Sequence, residues 1–224
     1  MVTRTAQDIP GDAMNVGLVG ARDELIRAFA AAGWHPADPI TFESSVGIVD
    51  SVLLHRPDPE APVSSLYYEG RKQDLAFEKP VGTSARQRHH VRFWLVLEQG
   101  MEGRPVYLGA ATFDDSVGMS HYTGQITHHT GPDIDAERDL IIADLTAAGM
   151  LTTTYQVSGI GPTLLAFNGG GDRYYTDGEI DFGVVSIGAV PQGAAPVALP
   201  NPAVTEFKDA LWSAVGDDAP DAAD

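Results

Sequence analysis

The sequence contains no cysteine among its 224 residues. This absence excludes disulfide bonds, thiolate-bound zinc and a cysteine nucleophile at the same time. No apolar run is long enough to cross a bilayer, so we expect no transmembrane helix and no insertion into a membrane. Residues 1–15 lack the apolar core of a secretory signal, and a cytoplasmic location is therefore expected.

Basic residues are scarce as well. Against 31 Asp and Glu there are 14 Lys and Arg, which gives a net charge of −17. A surface this acidic repels nucleic acids and anionic lipids at long range, so we expect no nucleic-acid partner. The hydrophobic share of 43% is ordinary for a folded domain. The expected partner is thus a small-molecule ligand or substrate.

Composition changes along the chain divide it into five segments. We predict a flexible N-terminus, a folded α/β domain, a Pro/Gly/Ala-rich linker, a C-terminal helix and an acidic disordered tail, at residues 1–12, 13–187, 188–200, 201–215 and 216–224. The C-terminal helix carries Phe207, Leu211 and Trp212, more apolar surface than a short helix usually leaves uncovered. A homodimer through this helix is a further expectation.

The folded domain mixes the periodicities of helices and strands. Helices are predicted over 21–32, from Asp38 to just before Pro57, and over 134–148. Strands are predicted over 66–69, 74–78, 91–97, 106–113, 152–157, 163–167, 173–176 and 179–187. Asp177 and Gly178, between the last two strands, are typical of a two-residue hairpin turn. The predicted fold class is α/β (α+β), a single domain with a mixed, largely antiparallel sheet and helices packed on it.

Six stretches of this domain carry a more specific pattern. They are Gln73–Pro80, Arg88–Trp94, Gly109–Asp114, His121–His129, Pro132–Asp139 and Asn168–Gly171. Together they resemble the LssY C-terminal domain family over residues 15–187. In that family the domain often follows a membrane-embedded region of the DedA or PAP2-phosphatase kind, and this sequence shows no such segment. The resemblance therefore implies the fold, but neither a role in the bilayer nor a reaction.

Two neighbouring histidines lie in the predicted strand that begins near Arg88. Alternation along a strand places His89 with Val91 on one face and His90 with Arg92 on the other. In one interpretation His89 is a hydrogen-bonded core histidine and His90 lies at the surface. In the other, His90 and Arg92 line a pocket for an anionic or carbonyl group, since arginine offers a fork of donors and histidine an adjustable proton.

A second group of histidines precedes the third predicted helix. It comprises His121, His128 and His129, followed in the first helical turns by Asp133, Asp135, Glu137 and Asp139. Imidazole and carboxylate are the usual ligands of zinc, manganese and iron, so His121 and His128 are candidate ligands of a divalent metal, the only cofactor that the sequence indicates. Their spacing matches no standard zinc motif, however, and acidic residues at a helix start also stabilise the helix dipole. A metal site and a simple helix cap both remain open.

The two groups of histidines are predicted to meet. A hairpin of the strands ending near Trp94 and Asp114 places Asp114 beside the start of the first strand, and the loop after it returns to the helix start. The predicted pocket contains His90, Arg92, Asp114, His121, His128 and His129. As candidate catalytic residues, His90 or His129 would be the general base, Arg92 would stabilise an oxyanion, and Asp114 or Asp135 would orient a histidine.

Such a pocket predicts a hydrolase or lyase of a small molecule with an anionic or carbonyl group, with or without a divalent metal. Two alternatives remain. The same residues could hold a ligand without turnover, in a binding or accessory domain, or the histidines could serve only as hydrogen-bonded parts of the fold.

Overall fold

The computed structural model describes residues 1–49, 65–82, 87–100, 102–122, 124, 126–188 and 194–216. The helices are α1 (Arg22–Ala31), α2 (Pro39–Ser45), α3 (Ile134–Ala147) and α4 (Ala203–Gly216). The strands up to the first long hairpin are β1 (Val2–Thr5), β2 (Pro10–Ala13), β3 (Val16–Val19), β4 (His35–Pro36), β5 (Leu66–Tyr68), β6 (Arg71–Lys72), β7 (Leu75–Pro80) and β8 (Arg88–Leu97). The remaining strands are β9 (Val106–Met119), β10 (Ile126–Thr130), β11 (Leu151–Ser158), β12 (Thr163–Phe167), β13 (Arg173–Thr176), β14 (Glu179–Val185) and β15 (Val197–Ala198).

A large sheet forms the centre of the described part of the chain. Its strand order is β15-β11-β14-β3-β9-β8-β7-β4, with β10 paired to β9. The β14–β3 and β15–β11 pairs are parallel and the other pairs are antiparallel. The predicted α+β fold with a mixed, largely antiparallel sheet is therefore confirmed.

Helices α1 and α3 cover one face of this sheet. Leu25, Ile26 and Phe29 of α1 are fully buried because their spacing places them on one side of the helix. Phe29 stacks on Phe77 of β7 with ring centroids 4.1 Å apart. The predicted 21–32 helix thus has its expected inward face. Gly33, with φ of +80°, follows the helix, and only glycine adopts that conformation without strain.

The opposite face of the sheet meets a second layer. Strands β2, β1, β5 and β6 form a four-stranded sheet in that order. Trp94 of β8 and Leu108 of β9 pack with Leu66 of β5 in a second apolar core. Residues 1–12, expected to be a flexible N-terminus, supply β1 and most of β2, and Thr3 is completely buried.

Two further local predictions differ from the structure. Helix α2 ends at Ser45, where the predicted helix continued, and residues 50–64 lie outside the described part. The Asp177–Gly178 pair is not a hairpin turn, since β13 pairs with β12 whereas β14 pairs with β11 and β3. The reason is tertiary: Arg138 binds the Asp177 carboxylate at 2.8 Å and the chain changes sheets at this corner.

The C-terminal segments lie along the outer edge of the large sheet. Within the predicted linker, Val197 and Ala198 form β15 against β11, and residues 189–193 lie outside the described part. Helix α4 is held by Lys208, whose ammonium pairs with the buried Glu179. Phe207 and Leu211 of α4 are exposed. The homodimer stays a prediction. The predicted tail, from residue 217 onward, lies outside the described residues.

Candidate functional site

The pairing of β8 with β9 creates a row of buried polar side chains. Arg88 is opposite Asp114 and His90 is opposite Thr112, so these side chains and that of Arg92 share the face turned away from α1 and α3. His90 is 1% exposed and Arg92 is 6% exposed. His90 is therefore not a surface residue, and it shares its strand face with Arg92.

Both arginines of this row are ion-paired. Arg88 binds Glu78 of β7 at 2.8 Å and Asp114 at 2.9 Å. Arg92 binds Asp12 of β2 at 3.4 Å. Two cations thus face three carboxylates, and burial makes each pairing necessary because an isolated buried charge is costly. The row is nearly neutral rather than strongly cationic.

Burial controls the protonation of His90. Its pKa lies well below the usual value of 6.5 for histidine, first because burial disfavours the charged ring and next because Arg92 and Arg88 add positive charge. Among the described residues, Nε2 of His90 has no hydrogen-bond partner. His90 is consequently a neutral imidazole at pH 7, held beneath the surface.

His128 belongs to the same region. Its Nε2 lies 3.5 Å from Nη2 of Arg88, and its pKa is lowered, mainly by burial and then by Arg88 and Arg92 against the opposing effect of Asp114. We call Arg88, His90, Arg92, Asp114 and His128 the arginine–histidine cluster. His121 and His128 were predicted as ligands of one metal; among the described residues, the group with ligand atoms close enough to share an ion contains His121 but not His128.

His121 instead lies with His129 and Asp172. Nδ1 of His129 is 2.6 Å from Oδ1 of Asp172, and one ligand atom from each of the three side chains lies within 4.8 Å of the others. We call this group the His–Asp centre. Its members come from three places: the segment after β9, strand β10, and the β12–β13 turn. They are exposed, half-buried and buried in that order, so the group opens to solvent at His121.

The β12–β13 turn is built to position Asp172. Oδ1 of Asn168 accepts the backbone N–H groups of Gly170 and Asp172, both at 2.9 Å. Oδ2 of Asp172 accepts the N–H of Thr130 at 3.2 Å. The N–H groups of Gly170 and Asp172 are therefore satisfied within the turn itself. In the sequence, the Asn-Gly-Gly-Gly-Asp stretch at residues 168–172 was the one signal that pointed to Asp172.

Glycine makes room for both histidines of the His–Asp centre. A Cβ at Gly118 would lie 2.4 Å from Nε2 of His129. A Cβ at Gly171, where φ is +89°, would lie 2.7 Å from Cβ of His121. Real side chains do not approach this closely, so the positions of both histidines require a glycine, with no side chain, at residues 118 and 171.

The two groups are adjacent along β10, because His128 of the first group and His129 of the second are consecutive residues. The pKa of Asp12 is raised mainly by burial and also by the charges of Asp114 and Asp172, against the lowering effect of Arg92. Asp12 and Arg88 were not predicted. Arg88 could have been, because it precedes His90 by two residues on the same strand face. Asp12 could not, because nothing local connects it to Arg92.

Asp135, a predicted orienting residue, lies elsewhere. Its carboxylate accepts the hydroxyl of Thr176 at 2.6 Å and the N–H of Asp177 at 2.7 Å, next to Arg138. Burial raises its pKa to about 6. Instead of orienting a histidine, Asp135 ties the start of α3 to the β13–β14 corner. His89 is also outside the site: it binds Glu137 of α3 at 2.8 Å on the helix-covered face.

Comparison with known proteins identifies the family. The family model described as the LssY C-terminus matches residues 1–180, so the chain belongs to this family. That description names no reaction. No curated protein and no solved structure matches the chain. Within the described residues, no helix has the length and apolar character needed to span a membrane.

Proposed function

We propose that this chain is a hydrolase or lyase of a small molecule that carries a carbonyl or anionic group. The observation that supports it best is the His129–Asp172 pair, at 2.6 Å, in the strand where the preceding residue His128 lies 3.5 Å from Arg88 of the arginine–histidine cluster. A carboxylate bonded to one ring nitrogen orients a histidine for proton transfer at the other. His129 is 25% exposed, whereas His90 is sealed beneath the surface, so His129 is the better general base.

The charge balance of the region narrows the substrate class. Arg88 and Arg92 already pair with carboxylates, so little net positive charge is left for a substrate with several negative charges. A carbonyl compound, or one with a single negative charge, fits better. In this proposal Arg92 stabilises charge that develops during the reaction, since a preorganised buried cation acts strongly at short range.

We further propose that the substrate is a soluble metabolite-sized compound met in the cytoplasm. The net charge of −17 supports this, because it disfavours polyanionic partners such as nucleic acids and anionic membranes.

Non-catalytic ligand binding is the second candidate function. It is favoured by the same ion pairs, since arginines that are fully neutralised in the resting protein can be structural. Under this alternative the His–Asp centre holds a ligand without turnover.

An activity screen separates the two. The full chain is incubated with nitrophenyl esters of acetate, phosphate and sulfate and with lactones, and products are followed by absorbance and chromatography. We expect turnover of a carbonyl substrate and a loss of about 100-fold or more in His129→Ala, the usual contribution of a general base. His89→Gln, on the opposite face of the sheet, is the matched control and should retain activity. Equal turnover by the wild type and His129→Ala would contradict the proposal, and saturable binding without turnover would favour the second candidate.

A further inference from the structure

We propose that His121, His129 and Asp172 bind one divalent transition-metal cation such as Zn²⁺. The inference rests on the site of the proposed function, but it concerns binding and does not require turnover. A ring nitrogen that binds the ion cannot also accept a proton, so His129 is a ligand in the metal-bound protein and the general base only in the metal-free protein.

The donor set has the right chemistry. Two imidazoles and one carboxylate are a common protein ligand set for Zn²⁺ and Fe²⁺, and three protein ligands leave a coordination position open. Donor atoms bound to one ion at about 2.0–2.2 Å lie at most about 4.4 Å from one another. The three donors are already within 4.8 Å, so small side-chain rotations bring them to bonding distance.

Hydrogen bonds from neighbouring residues hold the proposed ligands in position. Oδ2 of Asp172 is held by the N–H of Thr130 at 3.2 Å and the amide of Asn168 at 3.4 Å, which leaves Oδ1 toward His129. The backbone N–H of His121 donates to Gly170 at 2.9 Å, so the turn that supplies Asp172 also holds His121. Hydrogen bonds of this kind orient metal ligands in proteins and contribute to metal affinity.

The local charge favours a cation. Asp172 and Asp12 influence each other electrostatically, and the nearby arginines are occupied by Glu78, Asp114 and Asp12. Asp172 is not among the carboxylates paired with these arginines, so its negative charge favours a divalent cation between the imidazoles. His128, by contrast, faces the guanidinium of Arg88 and is not part of the set.

Metal binding is tested on the full chain, purified without a histidine tag and stripped with a chelator. Co²⁺ is titrated while its visible absorption is recorded, and Zn²⁺ is then added to displace it. We expect saturation at one Co²⁺ per chain. His121→Ala is the main variant, because this exposed side chain can be removed with little effect on folding. We expect it to lower Co²⁺ affinity by more than about 100-fold, beyond the effect typical of removing a supporting residue.

His128→Ala is the matched control. It removes the histidine next to His129 in β10. Because His128 faces Arg88 and is not part of the His–Asp centre, we expect unchanged Co²⁺ affinity. Retained binding in His128→Ala with loss in His121→Ala supports the proposal. Loss in both, binding that survives in His121→Ala, or no saturable binding by the wild type overturns it. Stoichiometric Co²⁺ binding without turnover of any substrate would reject the proposed function and leave the metal site intact.

Discussion

Replacing Gly118 by alanine should displace the ring of His129. The new Cβ would lie 2.4 Å from Nε2 and 2.6 Å from Cδ2 of that ring. Carbon contacts are comfortable near 3.5 Å, so the ring must retreat by about 1 Å. The backbone at Gly118 has no positive φ, and the three heavy atoms nearest to the new Cβ all belong to His129, so the ring of His129 is what the substitution disturbs most.

Two losses follow from this displacement. Overpacking costs about 1–3 kcal/mol, and each kcal/mol lowers the melting temperature of a chain of this size by about 2–4 °C. The 2.6 Å contact with Asp172 is also disturbed, and a misplacement of about 1 Å can reduce catalysis about 100-fold. Co²⁺ affinity should fall together with any activity.

Gly131→Ala is the matched control for this experiment. A Cβ at Gly131 would meet Phe113 at 3.5 Å, which is ordinary contact, and its φ is not positive. Thermal unfolding followed by circular dichroism and the Co²⁺ titration compare the two variants. Equal melting temperatures and equal Co²⁺ affinities for Gly118→Ala and Gly131→Ala would refute the placement of His129.

Two further substitutions test the buried cluster. Arg88→Met should lower the free energy of unfolding by about 3–5 kcal/mol in urea titrations, because it leaves the buried carboxylate of Asp114 and the half-buried carboxylate of Glu78 without their partner. A loss below about 1 kcal/mol, typical of a surface pair, would show that the pairs are not buried. His90→Gln should make stability less dependent on pH. The folded-state pKa of His90 is below the unfolded value of 6.5, so its contribution is complete above that pH and is lost as the pH falls, by up to about 1.4 kcal/mol per pH unit. Unfolding free energies measured from about pH 8 to about pH 5 should therefore fall more steeply in the wild type than in the variant, and parallel curves would count against a buried neutral His90.

Much of the fold could be predicted because its signals are local. The spacing of Leu25, Ile26 and Phe29 indicates α1 through a periodicity that the helix itself imposes. Alternation along β8 likewise separates His89 from His90 and places His90 with Arg92. Such patterns need no information about the rest of the chain, and the family resemblance agreed with them.

The composition of the site depended on contacts that no local pattern contains. Asp172 is 43 residues from His129, and Asp12 is 80 residues from Arg92. Their partners are chosen by which strands lie side by side, and the N-terminal strands were not recognised because Pro10–Ala13 has weak strand character.

Which partner each histidine contacts also depends on the tertiary structure. His128 and His129 are consecutive residues of β10, next to a register shift between His129 and Thr130, and His128 meets Arg88 whereas His129 meets Asp172. The sequence by itself establishes that histidines accumulate before α3. Only the packed sheet assigns His128 to the guanidinium and His129 to the carboxylate, because a single shift in strand register redirects every side chain beyond it.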